Sequence, residues 1–253
     1  MPFIDREGVR IHYTVDGDGP PVLLTHGFCA TSLMWDAQVA ALADRYRLIR
    51  WDMRGHGRSD SPPDPALYSH ELTVADMVAV LDVCDVPRAV IGGLSLGGFM
   101  SMLFHVHHPE RTRSLVLMDT GPGYRSAASR ASWNDYAERQ ATALEAGGES
   151  ALSTSAEVNA RNHLTLDGLI HVARRMLIQA DSTVIDSLVE IDVPVLLLAG
   201  ADDKPFLDGM FYMSKKIHGG RYEVIEGAGH AVNIDQSDRV NRLLGAFLAG
   251  LPA

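Results

Sequence analysis

The sequence predicts an open, mostly parallel β-sheet with helices on both faces and a compact helical segment set into it. Three observations carry this expectation. Several short runs are almost wholly apolar, as strands buried on both faces of a parallel sheet must be. Stretches with apolar residues at i, i+3, i+4 and i+7 fall between those runs, and such alternation builds an α/β sheet. From about Gly121 to Glu190 the alternation stops and no strand pattern is found. The 253 residues suffice for one large domain or two small ones.

The elements follow in order. Phe3-Ile4 leads through Asp5-Arg6-Glu7-Gly8 into Val9 to Val15, where apolar and polar residues alternate. That reads as a hairpin whose second strand is exposed on one face. Asp16 to Pro21, rich in Gly and Pro, breaks regular structure. The buried-strand candidates are Val22-Leu23-Leu24, Leu48-Ile49-Arg50-Trp51, Ala89-Val90-Ile91, Leu115 to Met118 and Val195 to Leu198. Tyr222 to Ile225 alternates more and belongs nearer an edge. Val74, Met77, Val78 and Leu81 mark a helix, with Thr73 and Asp76 as its expected capping box. Leu96, Phe99, Met100 and Leu103 mark a second, with Pro109 beyond its end. Val240, Leu243, Leu244, Phe247 and Leu248 form a C-terminal stripe.

Within the strandless stretch, Trp133, Tyr136, Gln140 and Leu144 share one helical face, ended by Gly147-Gly148. Val172, Arg175, Met176 and Gln179 suggest another helix, and Ile185, Leu188 and Val189 a third. Ligands of open α/β sheets bind at the carboxyl ends of the strands. An insertion after such an end lands over the site as a lid. The expected organisation is a body of residues 1–120 and 191–253 with a helical cap of residues 121–190.

Composition narrows the partners. The net charge is −10, which repels phosphate backbones and argues against nucleic acid. No apolar window is long enough to cross a bilayer, and the first residues lack the pattern of a signal peptide, so the expectation is a soluble cytoplasmic protein. The two cysteines, Cys29 and Cys84, lie among apolar residues and read as buried thiols.

The strongest chemical signal is Gly93-Leu94-Ser95-Leu96-Gly97-Gly98 between a strand and a helix. A turn that tight forces its serine into a strained conformation, and the glycines remove side chains that would clash there. The Ser95 hydroxyl then projects above the sheet at the positive end of the helix. A serine needs a base, and His230 in Glu226-Gly227-Ala228-Gly229-His230 follows the last strand. The base needs a carboxylate to hold its tautomer. Asp202 and Asp203, just past one strand, and Asp119, past another, all qualify by spacing. Acyl transfer also needs oxyanion donors. The N–H of Leu96 is one, and Thr25-His26-Gly27-Phe28-Cys29 offers a second at Phe28. His26 reads as a structural hydrogen-bonder, and Cys29 as a small pocket-lining residue. His105, His107 and His108 have no matching carboxylate or cysteine pattern for a metal.

At these residues the chain resembles the α/β-hydrolase fold superfamily. The motifs are His26-Gly27-Phe28, Asp52 to Ser59, Gly93 to Gly97, Gly200-Ala201-Asp202-Asp203 and Gly229-His230, in the family's order of nucleophile, acid and histidine. The resemblance selects Asp203 as the acid and supports Phe28 and Leu96 as oxyanion donors. It makes Asp52 to Ser59 a structural turn in which Arg54 fixes loops. Ser95 stands where haloalkane dehalogenases and soluble epoxide hydrolases carry aspartate. The chain therefore looks like the serine branch: carboxylesterases, 3-oxoadipate enol-lactonases, haloperoxidase/perhydrolases and carbon–carbon bond hydrolases. The Gly-Pro-Gly stretch of the last group is absent, since Phe28-Cys29-Ala30-Thr31 follows Gly27.

The resemblance implies a cofactor-free and metal-free hydrolase of small to medium carboxylic esters, with lactone or perhydrolase chemistry as alternatives. A small-molecule sensor on the same fold is the rival from another class. The partner is a small ester or lactone. Beside Cys29, the pocket candidates are Trp133, Tyr136, Met176 and Leu177 on the inner face of the cap, and Trp35 on the floor.

Overall fold

The computed structural model describes residues 2–252. The hairpin opens it: β1 (Phe3–Arg6) and β2 (Val9–Asp16) pair antiparallel. Its two-residue turn has Glu7 at φ 58° and Gly8 at φ 86°. Positive φ at both positions matches the right-handed twist of the flanking strands. Then come β3 (Pro21–Thr25), α1 (Asp36–Leu42), β4 (Arg47–Trp51), α2 (His70–Val83), β5 (Ala89–Leu94), α3 (Leu96–His107) and β6 (Thr112–Met118). The segment from β6 to β7 carries α4 (Ala127–Gly147), α5 (Asp167–Arg175) and α6 (Thr183–Ser187), and no strand among the described residues. The chain ends with β7 (Val195–Gly200), α7 (Lys204–Lys216), β8 (Arg221–Ile225), α8 (Val232–Asp235) and α9 (Ser237–Ala249).

The eight strands among the described residues form one sheet in the order β1-β2-β4-β3-β5-β6-β7-β8. β2 meets β4 antiparallel, and every pairing from β4 to β8 is parallel. This is the α/β-hydrolase architecture expected from the sequence. Strand alternation divides the core in two. Leu23, Ile49, Ile91, Leu115 and Leu197 point to the face covered by α2 and α3. Their neighbours Val22, Leu24, Leu48, Val90, Val116 and Leu196 point to the other, under α1 and α9. With both faces covered, β5 and β7 are buried along their whole length. No helix among the described residues is long and apolar enough to cross a membrane.

The strand order turns at β3. The chain steps outward from β3 to β4, then crosses back to β5 on the other side. A crevice opens at the carboxyl ends where the order reverses. The loops after β3 and β5 flank it, and those after β6, β7 and β8 lie along the same edge.

Two local expectations change. Thr73 and Asp76 do not cap α2: the helix begins a turn earlier, where Ser69 accepts from Leu72 N at 3.1 Å. Thr73 lies inside and returns its hydroxyl to the Ser69 carbonyl at 2.8 Å. Asp76 is buried instead as the partner of Arg54, with two contacts of 2.8 Å. Helices α1 and α7 had no clear periodic signal. α1 is only 7 residues long, and α7 follows Asp203, which makes no side-chain cap, with Pro205 in its first turn, a start signal rather than a stripe.

Candidate active site

Ser95 sits at the end of β5 with φ 55° and ψ −119°. A non-glycine residue in that region is strained by about 1–3 kcal/mol and persists only where its surroundings impose it. The surroundings here are explicit. Ser95 N donates to the Met118 carbonyl at 2.9 Å, and the Thr120 hydroxyl donates to the Ser95 carbonyl at 2.6 Å. A Cβ on Gly93 would stand 2.4 Å from the Gly97 carbonyl carbon, and one on Gly97 2.2 Å from the Thr25 carbonyl oxygen. The elbow therefore closes only with glycine at both positions. The Ser95 hydroxyl makes no capping bond to α3. The N–H of Leu96, first residue of α3, has no carbonyl a turn earlier to meet.

The loop after β3 approaches from the side. A Cβ on Gly27 would meet the Ser95 Cβ at 3.3 Å. The loop turns through Cys29 at φ 60°, and three histidines hold it. Met53 N donates to His26 Nε2 at 3.0 Å, so the proton of a neutral ring sits on Nδ1 and goes to the Gly27 carbonyl at 2.7 Å. Cys29 N donates to His56 Nε2 at 3.3 Å. His163, from the segment between β6 and β7, accepts from Gly57 N at 3.1 Å and donates to the Cys29 carbonyl at 3.0 Å. Burial lowers the pKa of all three, to about 4 for His26. Neutral rings are what these donor and acceptor roles require. Burial also pushes the Cys29 thiol up, so it remains a thiol.

Asp52 anchors the same region. It accepts from Ser32 N at 2.7 Å, from His12 at 3.0 Å and from Arg58 N at 3.0 Å. Burial alone would raise its pKa, but His12 and those N–H groups hold it below the usual carboxylate range. Arg54 adds a bond to the Leu67 carbonyl beside its Asp76 pair, so the turn after β4 is a brace between loops.

On the far side, His230 Nδ1 lies 2.7 Å from Asp203 Oδ2. Asp203 is 6% exposed, whereas Asp202 is exposed and makes no such contact. Burial of His230 lowers its pKa, but the Asp203 hydrogen bond and charge outweigh that, and the net shift is upward. Asp119, the third carboxylate that spacing allowed, does something else. It accepts from Gly200 N at 2.8 Å and Val232 N at 3.3 Å, clamping the loops on either side of the Asp203–His230 pair. Burial pushes its carboxyl up to about 8.

Two chambers meet at Ser95. One, of about 440 Å³, is lined by Phe99, Thr120, Gln179 and Tyr212. The other, of about 730 Å³, is lined by Phe28, Cys29, Tyr136, Glu157, Asp203 and His230. Ser95, Tyr124, Trp133, Leu177 and Phe206 belong to both walls. Phe206 lies against the His230 ring at 4.7 Å, and Trp133 Nε1 donates to the Leu177 carbonyl at 2.7 Å. Helical residues between β6 and β7 thus stand over the carboxyl ends of the sheet.

The structure brings together Ser95, Leu96, Phe28, Cys29, Asp203, His230, Trp133 and Tyr136. It does not bring Trp35 and Met176. Trp35 is fully buried on the opposite face of the sheet, among Val22, Leu24 and Leu48. It follows the Phe28 loop closely in sequence, but the chain turns under the sheet after Ala30. Met176 is also fully buried, in the core rather than in a chamber wall, and its carbonyl accepts from His70 at 2.8 Å. The next residue, Leu177, takes the wall position. Sequence reasoning missed His163, Glu157 and Phe206, which lie in irregular chain or an unmarked helix. Among the described residues no group of three or more His, Cys, Asp or Glu is arranged to hold a metal ion.

The arrangement sets a hydroxyl, an imidazole and the carboxylate bonded to it along one chamber wall. Known proteins share its framework. A family model described as the alpha/beta hydrolase fold matches residues 20–166. The putative 2-succinyl-6-hydroxy-2,4-cyclohexadiene-1-carboxylate synthase of Bacillus subtilis (strain 168) is 27% identical, over 97% of this chain and 97% of its own. The 3-oxoadipate enol-lactonase 2 of Acinetobacter baylyi is 27% identical, over 97% and 95%. The structure of a thermophilic esterase from Thermogutta terrifontis superposes with a TM-score of 0.81 at 25% identity, over 99% of this chain and 97% of that one. The elbow, the sheet order that places it and a family match over more than half of the chain agree, and this protein belongs to the α/β-hydrolase fold family.

Proposed function

We propose that the protein is a serine hydrolase that cleaves carboxylic esters of small to medium acyl size through an acyl-enzyme. The observation that carries this reading is the His230–Asp203 contact of 2.7 Å in a chamber whose wall includes Ser95 on its strained elbow. His230 takes the Ser95 proton as the oxygen attacks the ester carbonyl. The N–H groups of Phe28 and Leu96 hold the oxyanion. The alcohol departs with the proton from His230, and water then attacks the acyl-enzyme by the same route. Asp203 keeps the His230 proton on Nδ1, leaving Nε2 as the base. Trp133, Tyr136 and Cys29 shape the space around the acyl and alcohol groups.

Lactone opening by the same residues is the second reading, favoured by the full-length likeness to an enol-lactonase. A lactone keeps its leaving alcohol tethered to the acyl group, so the attacking residues need no change. A panel of aryl esters of increasing acyl length, run beside lactones with Ser95→Ala as control, tests both. The expected loss in Ser95→Ala is about 10³-fold or more. Wild-type turnover in that variant overturns the assignment, and ligand binding without turnover in the parent chain points to a sensor.

A further inference from the structure

Apart from His230, the charged side chains in the walls of the two chambers are of one sign among the described residues. Asp203, Glu157 and Asp208 line them, and no Lys or Arg does among the described residues. Asp203 is occupied by His230. Glu157 is not accounted for in that way. It stands in the irregular chain between α4 and α5, is 9% exposed, and its Oε2 has no hydrogen-bond partner among the described residues. It shares the larger chamber with Cys29, Tyr136 and His230. Buried polar side chains nearly always find a partner within the fold, so an orphan beside a substrate cavity points to one brought by the ligand. Burial pushes its carboxyl up and Asp235 and Asp203 push the same way, while a hydrogen bond from its own backbone N–H and the charge of His230 oppose them. In the smaller chamber Gln179 Oε1 is likewise buried and unpartnered.

We propose that the larger chamber selects an ester or lactone whose polar substituent is uncharged, a hydroxyl or an amide facing Glu157, and rejects one ending in a carboxylate. A hydroxyl suits Glu157 in either protonation state, since it donates to the carboxylate and accepts from the acid. Among the described residues a substrate carboxylate finds no Lys or Arg in either wall, and where His230 is neutral it meets Glu157 and Asp203 in a partly desolvated space, where like charges repel more strongly than in water. The inference deepens the ester-hydrolase reading and rests on it for the identity of the scissile bond.

The test uses aryl esters of hexanoate, ω-hydroxyhexanoate and adipate, the last a monoester with a free carboxylate. A second series places the same groups on the alcohol side. The expected kcat/KM for the carboxylate ester is lower than for the neutral pair by about tenfold or more in the series that reaches Glu157. Glu157→Gln narrows that gap several-fold. Equal or faster turnover of the carboxylate esters in both series overturns the proposal, as does a gap that Glu157→Gln leaves unchanged. Calorimetric binding of the matching anilides to Ser95→Ala reads the chamber without the chemistry. Tighter binding of the neutral anilides supports the selection even where no ester is cleaved, a result that would sink only the hydrolase reading. Equal or tighter binding of the carboxylate anilide overturns the selection itself.

Discussion

Gly97→Ala puts the elbow under a defined load. The new Cβ would lie 2.2 Å from the Thr25 carbonyl oxygen and 2.5 Å from that of His26, where ordinary contact begins at 3.4 Å. Both obstacles are backbone at the end of β3, so no side-chain rotation relieves them. A close-packed interior transmits the strain, and α3 must part from β3 by about 1.2 Å. The two proposed oxyanion donors ride on opposite sides of that gap, Leu96 on α3 and Phe28 just after β3. A misplacement near 1 Å costs about 10²-fold in rate, and loss of one oxyanion donor costs about 10²- to 10³-fold in kcat. Overpacking itself costs about 1–3 kcal/mol, which a domain of this size survives. Kinetics on an aryl ester, with thermal unfolding followed by circular dichroism, measure both effects. The expected result is a folded variant with kcat down about 10²-fold and KM little changed. Gly245→Ala is the control, because its Cβ would meet only side-chain atoms at ordinary contact distance, Leu42 Cδ2 at 3.4 Å and Arg45 Nη2 at 3.7 Å. A folded Gly97→Ala protein whose kcat matches that of the control would refute the placement of the two donors.

Two further outcomes follow from the same geometry. His230 must be neutral to accept a proton, and Asp203 holds its pKa above that of a free histidine, so kcat/KM climbs as pH rises through a value higher than an ordinary imidazole's. Asp203→Asn removes the charge and puts an amide NH2 donor where a carboxylate oxygen stood, which favours the wrong His230 tautomer, so this limb moves to lower pH while kcat falls by about 10⁴-fold; a limb that stays in place contradicts the coupling. His163→Ala leaves the Cys29 carbonyl and Gly57 N without their partner. Each lost bond costs about 1–3 kcal/mol where the group stays buried. The urea midpoint should therefore drop and kcat should fall more than KM rises; a variant as stable and active as the parent removes His163 from the bracing of the loop.

The errors of sequence reading have a common cause. Trp35 and Met176 are large and apolar beside segments that do line the chambers, and periodicity says only that such residues face some core. Which core depends on where the chain passes relative to the sheet. After Ala30 it goes beneath, carrying Trp35 with it, and at the end of α5 it presents Leu177 rather than Met176. His163 and Glu157 fall where no period exists, and nothing in their neighbours marks them. Their significance lies in partners distant in sequence, Cys29 and Gly57 for His163 and a cavity for Glu157.

By itself the sequence determined the strands, most of the helices and the elbow, because each depends on local properties. Buried parallel strands must be apolar on both faces, helices must repeat with their turn, and Ser95 needs glycine at 93 and 97. The tertiary structure decided what depends on distance across the chain. It brought Asp203, the carboxylate the family resemblance also selects, to His230 and left Asp202 exposed and Asp119 as a clamp. It carried His163 onto the loop of Phe28, and it left Glu157 buried with an unanswered oxygen beside the site. Charge and hydrogen bonding act through space over a few ångströms, and only the folded chain sets which groups come that close.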